Sequence, residues 1–151
     1  MATQGPFQWF DAALKKIMNG GPVNLTTDTI KWVLCDSSQA LGPTFAGLSG
    51  DARYSDLTGE LPTANGYTNG GELMTGQYLT ETGGVVTFGS DSPLWSLTGS
   101  ITAKYLVAYD SSSANEDLLV VADFDTGGGS RNFSAGPLLI SVAGGIEQLS
   151  Q

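Results

Sequence analysis

The residues best placed to do chemistry are Asp123 and Asp125, which flank Phe124 and therefore project from the same side of an extended strand, beside Gly127-Gly128-Gly129-Ser130. Two carboxylates next to the backbone carbonyls of a glycine-rich loop are oxygen donors of the kind calcium takes. The competing reading is a solvated strand edge followed by a turn that Asp125 initiates. Carboxylate-pair hydrolysis of the glycosidase kind also survives as a possibility, but it needs two acids about 5 to 10 Å apart, which spacing along the chain does not supply. Gly127 to Ser130 lacks the Lys-Ser/Thr continuation and the strand-to-helix setting of a phosphate loop. The chain contains no histidine. That removes Ser-His-Asp and Cys-His nucleophile systems and every His-ligated metal site. The single cysteine, Cys35, rules out zinc sites built from several thiolates. Cys35 ends the apolar run Ile30-Lys31-Trp32-Val33-Leu34-Cys35 and is expected to be a buried small hydrophobe rather than a reactive thiol. Trp9, Trp32 and Trp95 have faces that stack on sugars or bases, yet each sits in an apolar, periodic context that favours core or interface packing. These residues imply no enzyme and no cofactor.

The charge balance restricts the partners. Fifteen acidic residues against six basic ones give a net charge of −9. Nucleic-acid affinity comes largely from Lys and Arg displacing counterions, so nucleic acid is not an expected partner. Acidity keeps a protein soluble at high local copy number and suits it to a basic surface. No apolar stretch approaches the roughly 20 residues that cross a bilayer, and no membrane association is expected. Met1 to Phe10 lacks the basic and apolar regions of a signal peptide, which predicts synthesis in a cytoplasm. A length of 151 residues predicts one domain over 1–151.

The elements that must position these residues are mostly strands. Phe7, Phe10, Leu14 and Ile17 recur at spacings of three and four, which predicts an amphipathic helix ended by Asn19-Gly20-Gly21-Pro22. Residues 1–20 are thus expected to be a helical N-terminal arm that covers an open sheet end or docks on a neighbour. Beyond it the period changes to two. Strands are predicted over Thr29 to Cys35, Leu73 to Glu81, Val85 to Phe88, Pro93 to Leu97, Ile101 to Tyr109, Leu118 to Phe124, Pro137 to Val142 and Ile146 to Leu149. The connection from Asp36 to Gly71 reads as a long binding loop or one with short structure of its own, such as a helical turn at Ala52 to Leu57. Asp110 to Glu116 and Asp125 to Arg131 read as exposed loops, the second the more flexible. The expected class is all-β, specifically a β-sandwich of jelly-roll type with a short N-terminal helix.

The run Tyr67-Thr68-Asn69-Gly70-Gly71-Glu72-Leu73, followed by Val85-Val86-Thr87-Phe88, Pro93-Leu94-Trp95-Ser96 and Ile101 to Asp110, resembles small virion proteins of tailed bacteriophages. Thr29 to Leu34 and Leu118 to Phe124 fit the same pattern in the same order, so the resemblance runs from about Phe10 to Leu149. It implies a head decoration, or cement, protein that binds the outside of the major capsid lattice. It transfers no catalytic or cofactor residues. Expected partners are the major capsid protein and further copies of the chain, as a dimer or trimer, on the virion surface after synthesis in a bacterial cytoplasm. The aromatic residues expected to anchor that interface are Phe7, Trp9 and Phe10 in the arm, with Phe45, Tyr54 and Tyr67 in the long loop; core burial is the competing account of each. A tail, baseplate or fibre component is the alternative within the same class. A carbohydrate-binding module is the alternative outside it, and would need Trp95 or Tyr109 exposed beside aspartates.

Overall fold

A computed structural model describes residues 5–39, 52–142 and 145–150. Among these residues the fold is mainly β, with several antiparallel sheets and one α-helix. Its centre is a five-stranded sheet in the order β1-β9-β8-β2-β3, formed by β1 (Gln8–Trp9), β2 (Ile30–Cys35), β3 (Glu72–Leu73), β8 (Tyr105–Asp110) and β9 (Leu118–Asp123). β2 and β8 pair from Ile30↔Asp110 to Cys35↔Tyr105, and β8 pairs with β9 through a register shift at Ala108/Tyr109. Both neighbours of β8 are apolar except at Lys31 and the terminal Asp123, and every residue of β8 is buried. A strand covered on both faces is selected by a continuous run of apolar residues rather than by alternation.

One face of the sheet carries Trp32, Leu34, Leu106 and Ala108. Phe7 packs on Trp32 with ring centroids 5.8 Å apart, and Trp9 stacks on Phe88 at 6.0 Å. On the other face Tyr54, in a 3-10 turn (Tyr54–Asp56), stacks on Tyr109 at 4.3 Å and 13°. The remaining strands form smaller sheets: β4 (Tyr78–Thr82), β5 (Val85–Gly89) and β12 (Glu147–Ser150) in the order β12-β5-β4; β6 (Leu94–Leu97) with β11 (Gly136–Leu139); and β7 (Ile101–Ala103) with β10 (Arg131–Phe133). Trp95, Phe88, Leu97, Ile101 and Phe124 join the same apolar core as β2, β8 and β9.

Three expectations are corrected here. The helix α1 spans Asp11–Met18, so Phe7 and Phe10 lie outside it. Residues 5–10 instead run along β9: Gly5 N–H donates to the Asp123 carbonyl at 2.8 Å, Gln8 pairs with Val121, and Phe10 N–H donates to the Leu119 carbonyl at 2.9 Å. The N-terminal segment is an edge strand followed by a helix packed against β9, not a helical arm. The predicted strand from Leu73 to Glu81 is two strands in two sheets, because Met74 N–H still bonds β2 through the Ile30 carbonyl while Gly76, at φ +63, turns the chain away. A side chain at Gly76 would also meet the Asp91 carboxylate at 2.6 Å. The predicted strand from Ile101 to Tyr109 is likewise split, at Lys104, with β7 and β8 in different sheets.

Candidate functional site

Lys104 marks that split and also occupies the position where Asp123 and Asp125 were weak candidates to hold a cation. Its N–H donates to the Cys35 carbonyl at 2.8 Å, while its side chain turns inward and the residue is only 8% exposed. The ammonium donates to both carboxylate oxygens of Asp123 at 3.1 Å, to the Asp125 carbonyl at 3.0 Å and to the Gly129 carbonyl at 3.0 Å. It also lies 5.2 Å from the Tyr105 ring centroid, within range of a cation–π attraction. The acid and the glycine-loop carbonyls do form an oxygen cage, but the charge inside it belongs to the chain. Asp125 turns its carboxylate elsewhere, accepting the Gly127 N–H at 3.0 Å in a tight turn, while its own N–H donates to Asp123 Oδ1 at 2.8 Å. Asp123 and Asp125 are therefore corrected from calcium candidates to the wall of a lysine site. Among the described residues, no group of three or more His, Cys, Asp or Glu side chains is placed to hold a metal.

A second polar cluster pins the chain from 52 to 71 onto the sheet. Glu60 is bridged to Cys35 at the open end of β2, and its carboxylate accepts the Tyr54 hydroxyl at 2.5 Å, the Tyr67 hydroxyl at 2.8 Å and the Gly70 N–H at 2.7 Å. The Tyr67 oxygen in turn accepts the Leu34 N–H at 3.1 Å, and the Tyr109 hydroxyl donates to the Gly70 carbonyl at 3.1 Å. Burial, reinforced by the Glu60 bond and partly offset by the Leu34 N–H, pushes the Tyr67 hydroxyl well above its usual range. Burial and the Glu60 bond do the same at Tyr54, and burial with Glu116 and Glu60 pushes Tyr109 up to about 12. All three are therefore hydrogen-bond donors at neutral pH rather than phenolates. Cys35 is fully buried, and burial followed by Glu60 and Asp36 holds its thiol protonated, which removes it as a nucleophile.

The third cluster closes the β8–β9 loop. Asp110 accepts the Ser112 N–H at 2.9 Å, the Ser112 hydroxyl at 2.7 Å and the Ser113 N–H at 3.1 Å through one carboxylate oxygen. Burial raises its pKa; the Ser112 bonds oppose that, and the nearby Asp28 carboxylate adds to it. Lys16 of α1 donates to Asp117 at 2.6 Å, tying the helix to the start of β9.

Among the aromatic residues expected to anchor an interface, Phe10 and Tyr67 are interior, each 1% exposed. Phe10 is drawn in because β1 pairing turns it into the core, and Tyr67 because its hydroxyl finishes the edge of β2. Phe7, Trp9 and Tyr54 are half-buried against Trp32, Phe88 and Tyr109. Phe45 lies outside the described residues. Trp95 and Tyr109, at 1% and 3% exposure, have no free face for a sugar.

What sequence reasoning missed is the outward apolar set. Leu94 and Leu139 are cross-strand partners in the antiparallel β6–β11 pair and are 53% and 62% exposed. Leu73, Tyr78, Leu79 and Val86 are also exposed. The signal was available at one point: in Leu94-Trp95-Ser96-Leu97, burying Trp95 and Leu97 forces Leu94 outward.

Comparison with protein-family models, with curated proteins and with solved structures finds no match.

Proposed function

We propose that this chain is a non-enzymatic structural protein of a bacteriophage head, decorating the outside of the major capsid lattice and cementing it, with its sheets arranged as a β-sandwich of jelly-roll type. One observation carries the reading. The polar clusters of the described residues are turned inward onto their own chain, while leucines are turned outward on the sheets, above all the pair Leu94 and Leu139. Groups meant for chemistry would face a cleft; here the lysine, the glutamate and the tyrosines hold loops in place. Outward leucines on rigid strands, in a protein of net charge −9, fit a partner surface that is apolar at the contact and basic around it. The sequence resemblance to small virion proteins supports the same conclusion. Cementing needs no catalysis: a subunit that bridges neighbouring capsid subunits adds buried area across joints that packaged DNA pushes apart. Self-association as a dimer or trimer belongs to this reading.

A cryo-EM map of the particle that carries the protein tests it. Density over the joints between major capsid subunits, lost when Leu94 and Leu139 are both replaced by Glu, is the expected result. Density confined to the tail, baseplate or fibres overturns the capsid assignment.

A further inference from the structure

Among the described residues, the strand β4 has a neighbour on only one side. It is the outer strand of the β12-β5-β4 sheet, and all five of its residues are exposed. The turn that follows, Gly83-Gly84, has φ +61 and +83, the pair of positive angles that a two-residue type I′ hairpin requires. In such a hairpin the closing pair, Thr82↔Val85, exchanges both hydrogen bonds, so Glu81↔Val86 and Leu79↔Phe88 are the non-bonded pairs of the ladder. The far side of β5 agrees, since the Phe88 carbonyl accepts the Ile146 N–H at 2.6 Å and so faces β12. The N–H and C=O groups of Leu79 and Glu81 therefore point outward at the open edge. Little protects that edge. It carries no proline and no lysine, and its one acid, Glu81, folds back to accept the Gly84 N–H at 2.9 Å. An unprotected edge is a template for another strand.

We propose that two copies of the chain pair antiparallel through β4, with Thr80 facing its own counterpart on a two-fold axis. Leu79 of each copy then lies opposite Glu81 of the other, and both residues present their outward amides, so four backbone hydrogen bonds close the joint. Thr beside Thr is a favourable cross-strand pair, and no like charges meet. The neighbouring registers are worse. Centring on Glu81 sets carboxylate against carboxylate. Centring on Leu79 sets Glu81 against Gln77, whose amide already donates to the Leu25 and Asp28 carbonyls at 3.0 Å. The occupant is a second copy because the edge is complementary to itself in one register. The net charge of −9 per copy opposes the pairing at long range, so added salt tightens it. This pairing gives the self-association of the proposed function a specific surface. It is measured on the free protein, so its failure is distinguishable from failure of the capsid assignment.

Sedimentation equilibrium of the full chain over a concentration series tests it. The expected mass rises from 15.7 kDa toward twice that value, and rises at lower concentration when salt is increased. Leu79→Pro removes an N–H that the hairpin itself does not use, deleting two of the four bonds and weakening the dimer about twenty-five-fold at roughly fivefold per bond. Thr80→Lys brings two positive charges onto the axis and weakens it, whereas Leu79→Lys faces Glu81 and leaves it as tight or tighter. Circular dichroism checks that each variant folds; should Leu79→Pro unfold, the two lysine variants at exposed positions decide. A monomer at every concentration, or a Thr80→Lys dimer as tight as wild type, overturns the proposal. Equal weakening by Leu79→Lys and Thr80→Lys overturns the register.

Discussion

Replacing Lys104 by Met keeps the length of the side chain and removes its charge, so the effect isolates the cage. Three groups lose a bond to the ammonium at once: the Asp123 carboxylate, which keeps the Asp125 N–H, the Asp125 carbonyl, which keeps the Gly128 N–H, and the Gly129 carbonyl. Breaking a fully buried ion pair costs about 3 to 5 kcal/mol. The Asp123 side chain is 27% exposed, so water recovers part of its solvation and the pair term is smaller than that. The two carbonyls sit on a loop that opens to reach water, which lowers their contribution too. A loss of about 2 to 3 kcal/mol is expected, or roughly 5 to 10 °C in Tm at about 2 to 4 °C per kcal/mol for a domain of this size. Thermal unfolding followed by circular dichroism reads it. A double-mutant cycle with Asp123→Asn apportions it, because Asp123→Asn alone destabilises but costs much less once Lys104 is already Met. Proteolysis should also begin between Gly127 and Gly129, since the ammonium is what ties that loop to β8. A Lys104→Met protein within about 1 °C of wild type, with the loop still resistant, would refute the reasoning.

Asp110→Asn keeps an acceptor for the Ser112 and Ser113 N–H groups while removing a buried charge. The folded-state pKa of Asp110 is raised, so the folded state prefers the protonated acid; its stabilisation is full below the unfolded value and is lost as pH rises through the folded one. The Asn variant should therefore melt higher than wild type at neutral pH, by about 2 to 4 °C, and the difference should vanish in acid when Tm is followed against pH. Tyr67→Phe keeps the ring in the core but strands the Leu34 N–H and leaves Glu60 Oε1 with only the Gly70 N–H, and urea unfolding should show a loss of about 1 to 3 kcal/mol. Gly71→Ala and Gly70→Ala differ in what the new methyl meets. At Gly71, φ +77, it would lie 2.0 Å from the Trp32 carbonyl oxygen, whereas at Gly70, φ +94, nothing lies within 4 Å. Gly70→Ala should cost only the conformational penalty of about 1 to 2 kcal/mol. Gly71→Ala should cost clearly more and separate β3 from β2, which loss of amide protection at Trp32 and Met74 would reveal.

The parts of the fold legible in the sequence were those where one physical rule acts alone. β2, β8 and β9 are buried on both faces, so apolar runs, interrupted only by Lys31 before the aspartates that end β8 and β9, identify them. The turn at Gly83-Gly84 is legible because few other dipeptides fit both positive angles. Sheet switches are not legible in this way, since Ile101 to Tyr109 keeps an apolar residue at every odd position through the point where the strand changes partners. Two-residue and three-residue strands such as β1, β3 and β10 carry too few residues for a period to register, and their pairing is decided by partners far along the chain. At the candidate site the oxygens of Asp123 and the loop were visible, but the cation was not. Lys104 sits in an alternating run where a polar residue reads as a solvent-facing position, and only the cage explains why it turns inward.

The pairing of Gln8 with Val121 has a consequence for how the protein is made. A ribosome releases β1 and β2 first, yet their neighbours β9 and β8 are synthesised only after most of the chain has emerged. The five-stranded sheet therefore cannot assemble in order of synthesis. Trp9, Trp32, Val33 and Leu34 wait uncovered in the nascent chain until β8 and β9 arrive together. Closure is then a late, concerted event, slow by the standard of hairpins that pair as they appear. The β4–β5 hairpin is able to form on its own schedule in the meantime, offering its edge before the centre of the molecule exists.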